Sequence, residues 1–227
     1  MSKADKIVIY GNGAMAKVLY SYARTCFDVC GFTVDDCCIK EGESEFCSLP
    51  LVRFSKVQEQ FDPKEYKMIS SVGFIDMNEL REKKYDEAKA KGYDFVSYID
   101  KSVKIHDGVV IEENCIILDF VSIHPNSIIK KGTFISSNVN LGHDCTIGAY
   151  NWINAGISMA GCCNVGKGSF FGVNAALANG VNIGERNFIA AGTVVNKGTK
   201  DDEVYISEPS QLFRLSSKKF LKFANLI

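Results

Sequence analysis

The sequence predicts a small Rossmann-like α/β parallel-sheet domain over residues 1–97, followed by a parallel β-helix over residues 98–227. Three observations predict this. Short apolar runs alternate with helical stretches up to about Phe95. From Tyr98 the apolar residues recur every six positions through seventeen successive sixes, without one insertion. The last place of each six is mostly small.

The elements follow in chain order. Lys6–Gly11 (KIVIYG) is a short apolar strand ending in glycine. Gly11-Asn12-Gly13-Ala14-Met15-Ala16-Lys17 then opens a helical stretch that runs to Arg24. Asp28–Asp36 (DVCGFTVDD) is a second strand with acids at its carboxyl end, Leu49–Val52 a third, and Lys67–Gly73 a fourth. Met77–Gly92 (MNELREKKYDEAKAKG) predicts a helix with a glycine stop. Tyr93–Ile99 leads into the second half. Strand–helix–strand alternation argues for a parallel sheet. In the second half, the second place of each six holds Ile99, Ile105, Ile111 and so on to Val195, always large and apolar. The sixth place is small, with Asn151 and Asn187 as polar exceptions. A helix needs a period of 3.6 and a simple strand a period of 2. A period of six fits one short strand plus one turn per repeat, with one side chain directed into a core.

Composition excludes several partners. Lys and Arg number 26 against 27 Asp and Glu, for a net charge of −1, so no basic stripe for nucleic acid is expected. No apolar run approaches the ~20 residues of a membrane span. The N-terminus passes directly into a strand without a signal peptide, which predicts a cytoplasmic protein. The nine cysteines contain no C-x2-C pair, only Cys26-x3-Cys30, the neighbours Cys37-Cys38 and Cys162-Cys163, and isolated residues. Neither a zinc ribbon nor a thioredoxin motif is supported, and no metal is expected. Cys115, Cys145 and Cys163 fall in sixth places and read as interior packing.

The seventeen sixes resemble the hexapeptide repeat of the left-handed β-helix acyltransferases. The resemblance implies three sixes per triangular coil, so residues 18 apart stack about 4.8 Å apart. His143 then lies in a column with Pro125, Gly161, Asn179 and Lys197, with Gly161 one coil above it. A histidine base beside a bare peptide N–H is what acyl transfer needs. Asp144 can hydrogen-bond one imidazole nitrogen and raise the basicity of the other.

Gly142-His143-Asp144 with Ile147-Gly148, then Gly161, Val165 and Gly166, resembles the nucleotide-sugar N-acetyltransferases of the bacillosamine and perosamine type, relatives of sialate O-acetyltransferases. The resemblance implies His143 as general base, Asp144 as its support, and the Gly161 amide as donor to the acetyl carbonyl. It implies a homotrimer with acetyl-CoA running along the coils between subunits, near Ala178, Asn179, Gly180, Ala190 and Ala191. Many members carry a second histidine nine residues after the first, near the acyl group. Here that place is Trp152, which is therefore expected beside the coenzyme.

Gly11-Asn12-Gly13-x-x-Ala16-Lys17 followed by Asp35 and Asp36 is similar to a dinucleotide fingerprint. In this family the same loop holds a sugar-nucleotide diphosphate. That implies substrate contacts at Gly11, Asn12, Gly13, Ala14, Lys17, Asp35, Asp36 and Gly73. The expected activity is acetyl-CoA-dependent N-acetylation of a UDP-linked 4-amino-4,6-dideoxy sugar, by direct attack. Sialic acid or other sugar O-acetylation stands as the alternative. Zinc catalysis of the gamma-class carbonic anhydrase kind, using His106, His124 and His143, is disfavoured by their spacing. A scaffold with a dead site is a third reading. Leu212–Phe223 (LFRLSSKKFLKF) is expected to cap the β-helix, or to bring Lys218 and Lys219 toward CoA phosphates.

Overall fold

The computed structural model describes residues 4–224. The first half contains strands β1 (Lys6–Tyr10), β2 (Asp28–Val34), β3 (Glu45–Phe46), β4 (Leu49–Arg53) and β5 (Lys67–Ser70). Its helices are α1 (Ala14–Ala23), α2 (Val57–Gln60) and α3 (Glu79–Ala90). The sheet order is β3-β4-β2-β1-β5. The β4-β2-β1-β5 portion is parallel and β3 pairs antiparallel with β4. Ile7, Ile9, Leu19, Phe32 and Ile69 are fully buried between sheet and helices. Helix α3 starts two residues later than the sequence pattern suggests, because Asp76, Met77 and Asn78 all have positive φ, of 49°, 47° and 70°. Tyr93–Ser97 forms no strand of its own beyond a single bridge from Phe95 to Met68, and Tyr98–Ile99 is the first strand of the second half.

Each of the seventeen sixes forms a two-residue strand at its first and second places, from Tyr98–Ile99 to Val194–Val195. Every strand pairs in parallel with the strand 18 residues away, as in Phe134↔Trp152 and Ile135↔Ile153. Three parallel sheets result, and they enclose a triangular prism. Call face A the one holding Tyr98, face B the one holding Lys104, and face C the one holding Val110. The second-place residues fill the core, and each from Ile117 to Val195 is buried. Burial of each such side chain contributes about 1.5–3 kcal/mol.

The fifth place of the turns takes a positive φ from Gly108 to Gly192, which explains its run of glycine, asparagine and aspartate. The amide nitrogens of the two sixth-place asparagines, Asn151 and Asn187, donate to backbone carbonyls, while Asn187 Oδ1 and the sixth-place Thr193 hydroxyl are buried without a partner among the described residues. Asn151 Nδ2 donates to the Gly148 and Gly166 carbonyls, and its Oδ1 accepts from the Ser169 N–H. After Val195 the coil shortens. Val204–Tyr205 pairs with Phe188–Ile189 at a spacing of sixteen residues.

The α/β half docks on the outside of face A. There the first-place residues Tyr98, Ile116, Phe134 and Trp152 join the apolar cluster of Ile7, Ile9, Leu19 and Ile69. The junction continues onto the flanking edges of the prism. Tyr22 Oη donates to Asp119, the Ser70 N–H to Asn114 Oδ1, and Asn78 Nδ2 to the Gly168 carbonyl. Arg81 is buried in the junction and donates to the carbonyls of Val72 and Gly132. Loss of solvent pulls its pKa down to about 10.

The structure places two expected positions differently. Trp152, expected beside the coenzyme, packs against the α/β half. It is buried at the junction, stacked on Phe134 with ring centroids 4.1 Å apart, with Phe74 at 5.5 Å and the Arg81 guanidinium 5.1 Å from its ring. Its indole N–H donates to Asn154 Oδ1. The C-terminal segment does not cap the prism. Helix α4 (Ser217–Phe223) has no buried residue, and Leu212 is fully exposed.

Candidate active site

His143 occupies a turn on the edge between faces B and C, following the strand Asn140–Leu141. Its carbonyl accepts the Cys162 N–H from the coil above, and the Asp144 N–H donates to the Pro125 carbonyl below. Both bonds hold the turn in register. Asp144 sits at the left-handed fifth place, with φ 54°, and its carboxylate turns back onto the neighbouring ring. His143 Nδ1 lies 2.7 Å from Asp144 Oδ2. The other carboxylate oxygen accepts from Asn126 Nδ2 at 3.1 Å. The His143 ring first, and then Asn126, hold the Asp144 carboxyl below its usual range. An ionised carboxylate only accepts hydrogen bonds, so the proton of neutral His143 sits on Nδ1 and the Nε2 lone pair is free.

That free nitrogen lies over Gly161. A Cβ built on Gly161 would stand 2.5 Å from His143 Nε2 and 2.7 Å from its Cε1, so glycine is required for the ring to lie there. Gly161 is buried beneath the imidazole rather than openly exposed. Its N–H has no hydrogen-bond partner among the described residues, and its carbonyl accepts the Gly180 N–H. Ala178, Asn179 and Gly180 continue the same edge one coil further up. Gly142 and Gly148 have a different role: a Cβ on either would meet the backbone of the next coil within 2.5–2.8 Å. Part of the Gly-His-Asp motif is therefore a packing requirement of the edge.

Ala190 and Ala191 lie elsewhere, on the edge between faces A and B, against Gly172. The expected coenzyme contacts are thus divided. Ala178–Gly180 share the edge of His143, Ala190 and Ala191 occupy the next edge, and Trp152 is sealed under face A. His106 and His124 share the edge of His143 but stack on each other at 5.1 Å, and His124 Nε2 is engaged by Asn140 Oδ1.

The second predicted site lies at the carboxyl ends of β1, β2 and β5. Chain order reverses beside β1, the position at which parallel sheets commonly take ligands. Gly11 has φ 130° and Ser71 packs against its α-carbon, while Gly13 starts α1 with open space around it. Asn12 Nδ2 donates to the Cys38 carbonyl, and Lys17 Nζ lies 5.6 Å from the Phe46 ring centre. Gly73 faces open space. Both acids are already engaged. Asp35 Oδ1 accepts from Tyr10 Oη at 2.8 Å and from Lys84 Nζ at 2.7 Å. Asp36 accepts from the Ser55 N–H and hydroxyl, which hold its carboxyl low. Lys84 and Ser55 belong to this region, and sequence reasoning missed both because they reach it from distant elements.

The two sites do not meet within one chain. The α/β half covers face A, and His143 lies on the edge opposite that face.

Searches of known proteins return no matching family model and no matching curated sequence. Solved structures do match. A histidine-to-asparagine mutant of perosamine N-acetyltransferase from Caulobacter crescentus, in complex with CoA and GDP-perosamine, aligns with a TM-score of 0.78 and 25% identity, covering 88% of this chain and 92% of that one. PerB from the same organism, with the same ligands, gives 0.77 and 26% over 88% and 92%. The acetyltransferase domain of PglB from Neisseria gonorrhoeae, in complex with acetyl coenzyme A, shares the fold at a TM-score of 0.77 and 18% identity, over 88% and 95%.

With this prism and edge, the chain is an acyltransferase of the left-handed β-helix class. Within that class its structural relatives are sugar acetyltransferases, the perosamine N-acetyltransferase among them. Among the described residues, no helix is long and apolar enough to cross a membrane.

Proposed function

We propose that the chain transfers the acetyl group of acetyl-CoA to the amine of a nucleotide-linked amino sugar, specifically a UDP-linked 4-amino-4,6-dideoxy sugar. The carrying observation is the His143 geometry: Asp144 fixes one ring nitrogen, and the free nitrogen stands over Gly161, whose N–H has no partner among the described residues. The amine attacks the thioester carbonyl directly and passes a proton to His143 Nε2. The Gly161 N–H supports the developing oxyanion. The tetrahedral intermediate collapses with loss of the CoA thiolate, which takes the proton back from the imidazolium. Asp144 stabilises the imidazolium in between. A positioned base of this kind contributes about 10²–10⁴-fold.

The sugar nucleotide binds at the Gly11–Ala14 loop, with its diphosphate at the start of α1 and Lys17, Asp35, Asp36 and Gly73 around it. Because that loop and His143 lie on opposite sides of one prism, the working site is shared between protomers of a homotrimer. The same assembly brings the edge of Ala190 and Ala191 beside the Ala178–Gly180 edge of a neighbour, where acetyl-CoA lies. GDP-linked substrates are the second reading, favoured by the GDP-perosamine bound in the Caulobacter structures. Product formation across a panel of UDP- and GDP-linked amino sugars tests the proposal. Acetylation of a 4-amino sugar nucleotide supports it, and turnover only of a hydroxyl acceptor overturns it.

A further inference from the structure

We propose that His143, Asp144 and Cys162 form a three-donor site for a thiophilic divalent cation of the zinc type, and that the bound ion silences the base. That the ion inhibits rests on the base assignment above; the existence of the site does not. Cys162 is the fifth residue of its six and lies one coil above Asp144. An imidazole nitrogen of His143, a carboxylate oxygen of Asp144 and Cys162 Sγ all lie within 4.8 Å of one another. Tetrahedral zinc places nitrogen and oxygen at about 2.0–2.1 Å and sulfur at about 2.3 Å, which separates the donors by roughly 3.4–3.6 Å. Closing the cluster needs movements of about 1 Å from three exposed side chains, with His143 and Asp144 giving up their mutual hydrogen bond.

The donor chemistry selects the ion. One imidazole, one carboxylate and one thiolate suit zinc or cobalt, whereas magnesium and calcium require oxygen ligands alone. The thiol releases its proton to solvent on binding, and the two anionic donors then balance the charge of the cation. The position of the cysteine is also unusual. Eleven of the fifteen left-handed fifth places from Gly108 to Gly192 hold glycine, asparagine or aspartate, so Cys162 at φ 60° stands where a side chain other than these is disfavoured. With the ion in place, the His143–Asp144 hydrogen bond is replaced by coordination and the ring is no longer available as a base.

The test is cobalt titration of the full chain under metal-free reducing conditions, in a Cys37→Ser/Cys38→Ser background that removes the other exposed neighbouring thiols. The expected result is a thiolate-to-cobalt absorption band in the near ultraviolet that zinc abolishes by displacement. Adding Cys162→Ser should remove the band and weaken binding at least about tenfold. A band undiminished by Cys162→Ser, or no band up to millimolar cobalt, overturns the site. In parallel, zinc should inhibit acetyl transfer by the background protein, and Cys162→Ser should raise the inhibitory concentration at least about tenfold. A cobalt band lost with Cys162 but no inhibition by zinc would support the site and count against His143 as the base.

Discussion

Gly161→Ala separates the chemistry of the edge from its folding. The new Cβ would stand 2.5, 2.7 and 2.9 Å from Nε2, Cε1 and Cδ2 of His143, and no backbone atom is among its nearest neighbours. Ordinary contact between carbon and a ring atom is about 3.5 Å, so the ring must retreat by about 1 Å. Gly161 has no positive φ, so alanine fits its backbone, and the change should leave stability level or raise it by about 0.4–1 kcal/mol through the unfolded chain. A base misplaced by an ångström loses about 10²-fold in rate. The expected result is a melting temperature at or slightly above wild type, with kcat for acetyl transfer reduced about a hundredfold. Gly142→Ala is the contrast. Its Cβ meets the backbone of Ala160 and Gly161 at 2.5–2.7 Å, so the melting temperature itself should fall. Gly161→Ala with kcat within about threefold of wild type and unchanged melting would refute the placement of the base.

The remaining predictions concern other parts of the molecule. His143→Ala should lower turnover by about 10²–10⁴-fold while nucleotide binding, read by calorimetry, survives. Trp152→Ala should cost about 3–5 kcal/mol in urea unfolding with the KM for acetyl-CoA unchanged; a selective rise in that KM would restore the coenzyme role. Asp36→Ala should raise the KM for the sugar nucleotide more than that for acetyl-CoA, and equal effects would count against the α/β site. Ile153→Ala, deep in the prism, should cost about 2–5 kcal/mol, read as a lower urea midpoint.

The prism was legible because a two-residue strand plus a four-residue turn leaves one inward side chain per repeat, and Ile99 to Val195 display it without interruption. The His143–Asp144 contact was also legible, since neighbouring fourth and fifth places share one turn. The face on which a residue lands was harder to read. Trp152 follows His143 by nine residues, or one and a half repeats, which carries it from an edge to the middle of face A. The signal for its burial was in the first-place column: Tyr98, Ile116, Phe134, Trp152 and Phe170 are apolar at a spacing of 18, marking an outer face that needs cover. The β3–β4 hairpin escaped notice because its turn residues with positive φ are Cys47 and Ser48, not the glycine or asparagine that advertise such turns. The pairing of Lys84 with Asp35 spans 49 residues, and no local pattern encodes it.

The central claim is that the sugar nucleotide held by one protomer meets His143 of another. Mixing two inactive variants tests it most directly: His143→Ala, which keeps the α/β site, and Gly11→Trp, which keeps the base but fills the loop. Co-refolded at equal amounts, a cyclic trimer places intact halves together at about a quarter of its sites, so activity should return to about a quarter of wild type. Mixtures that form hetero-oligomers and stay as inactive as the parents would contradict the shared site.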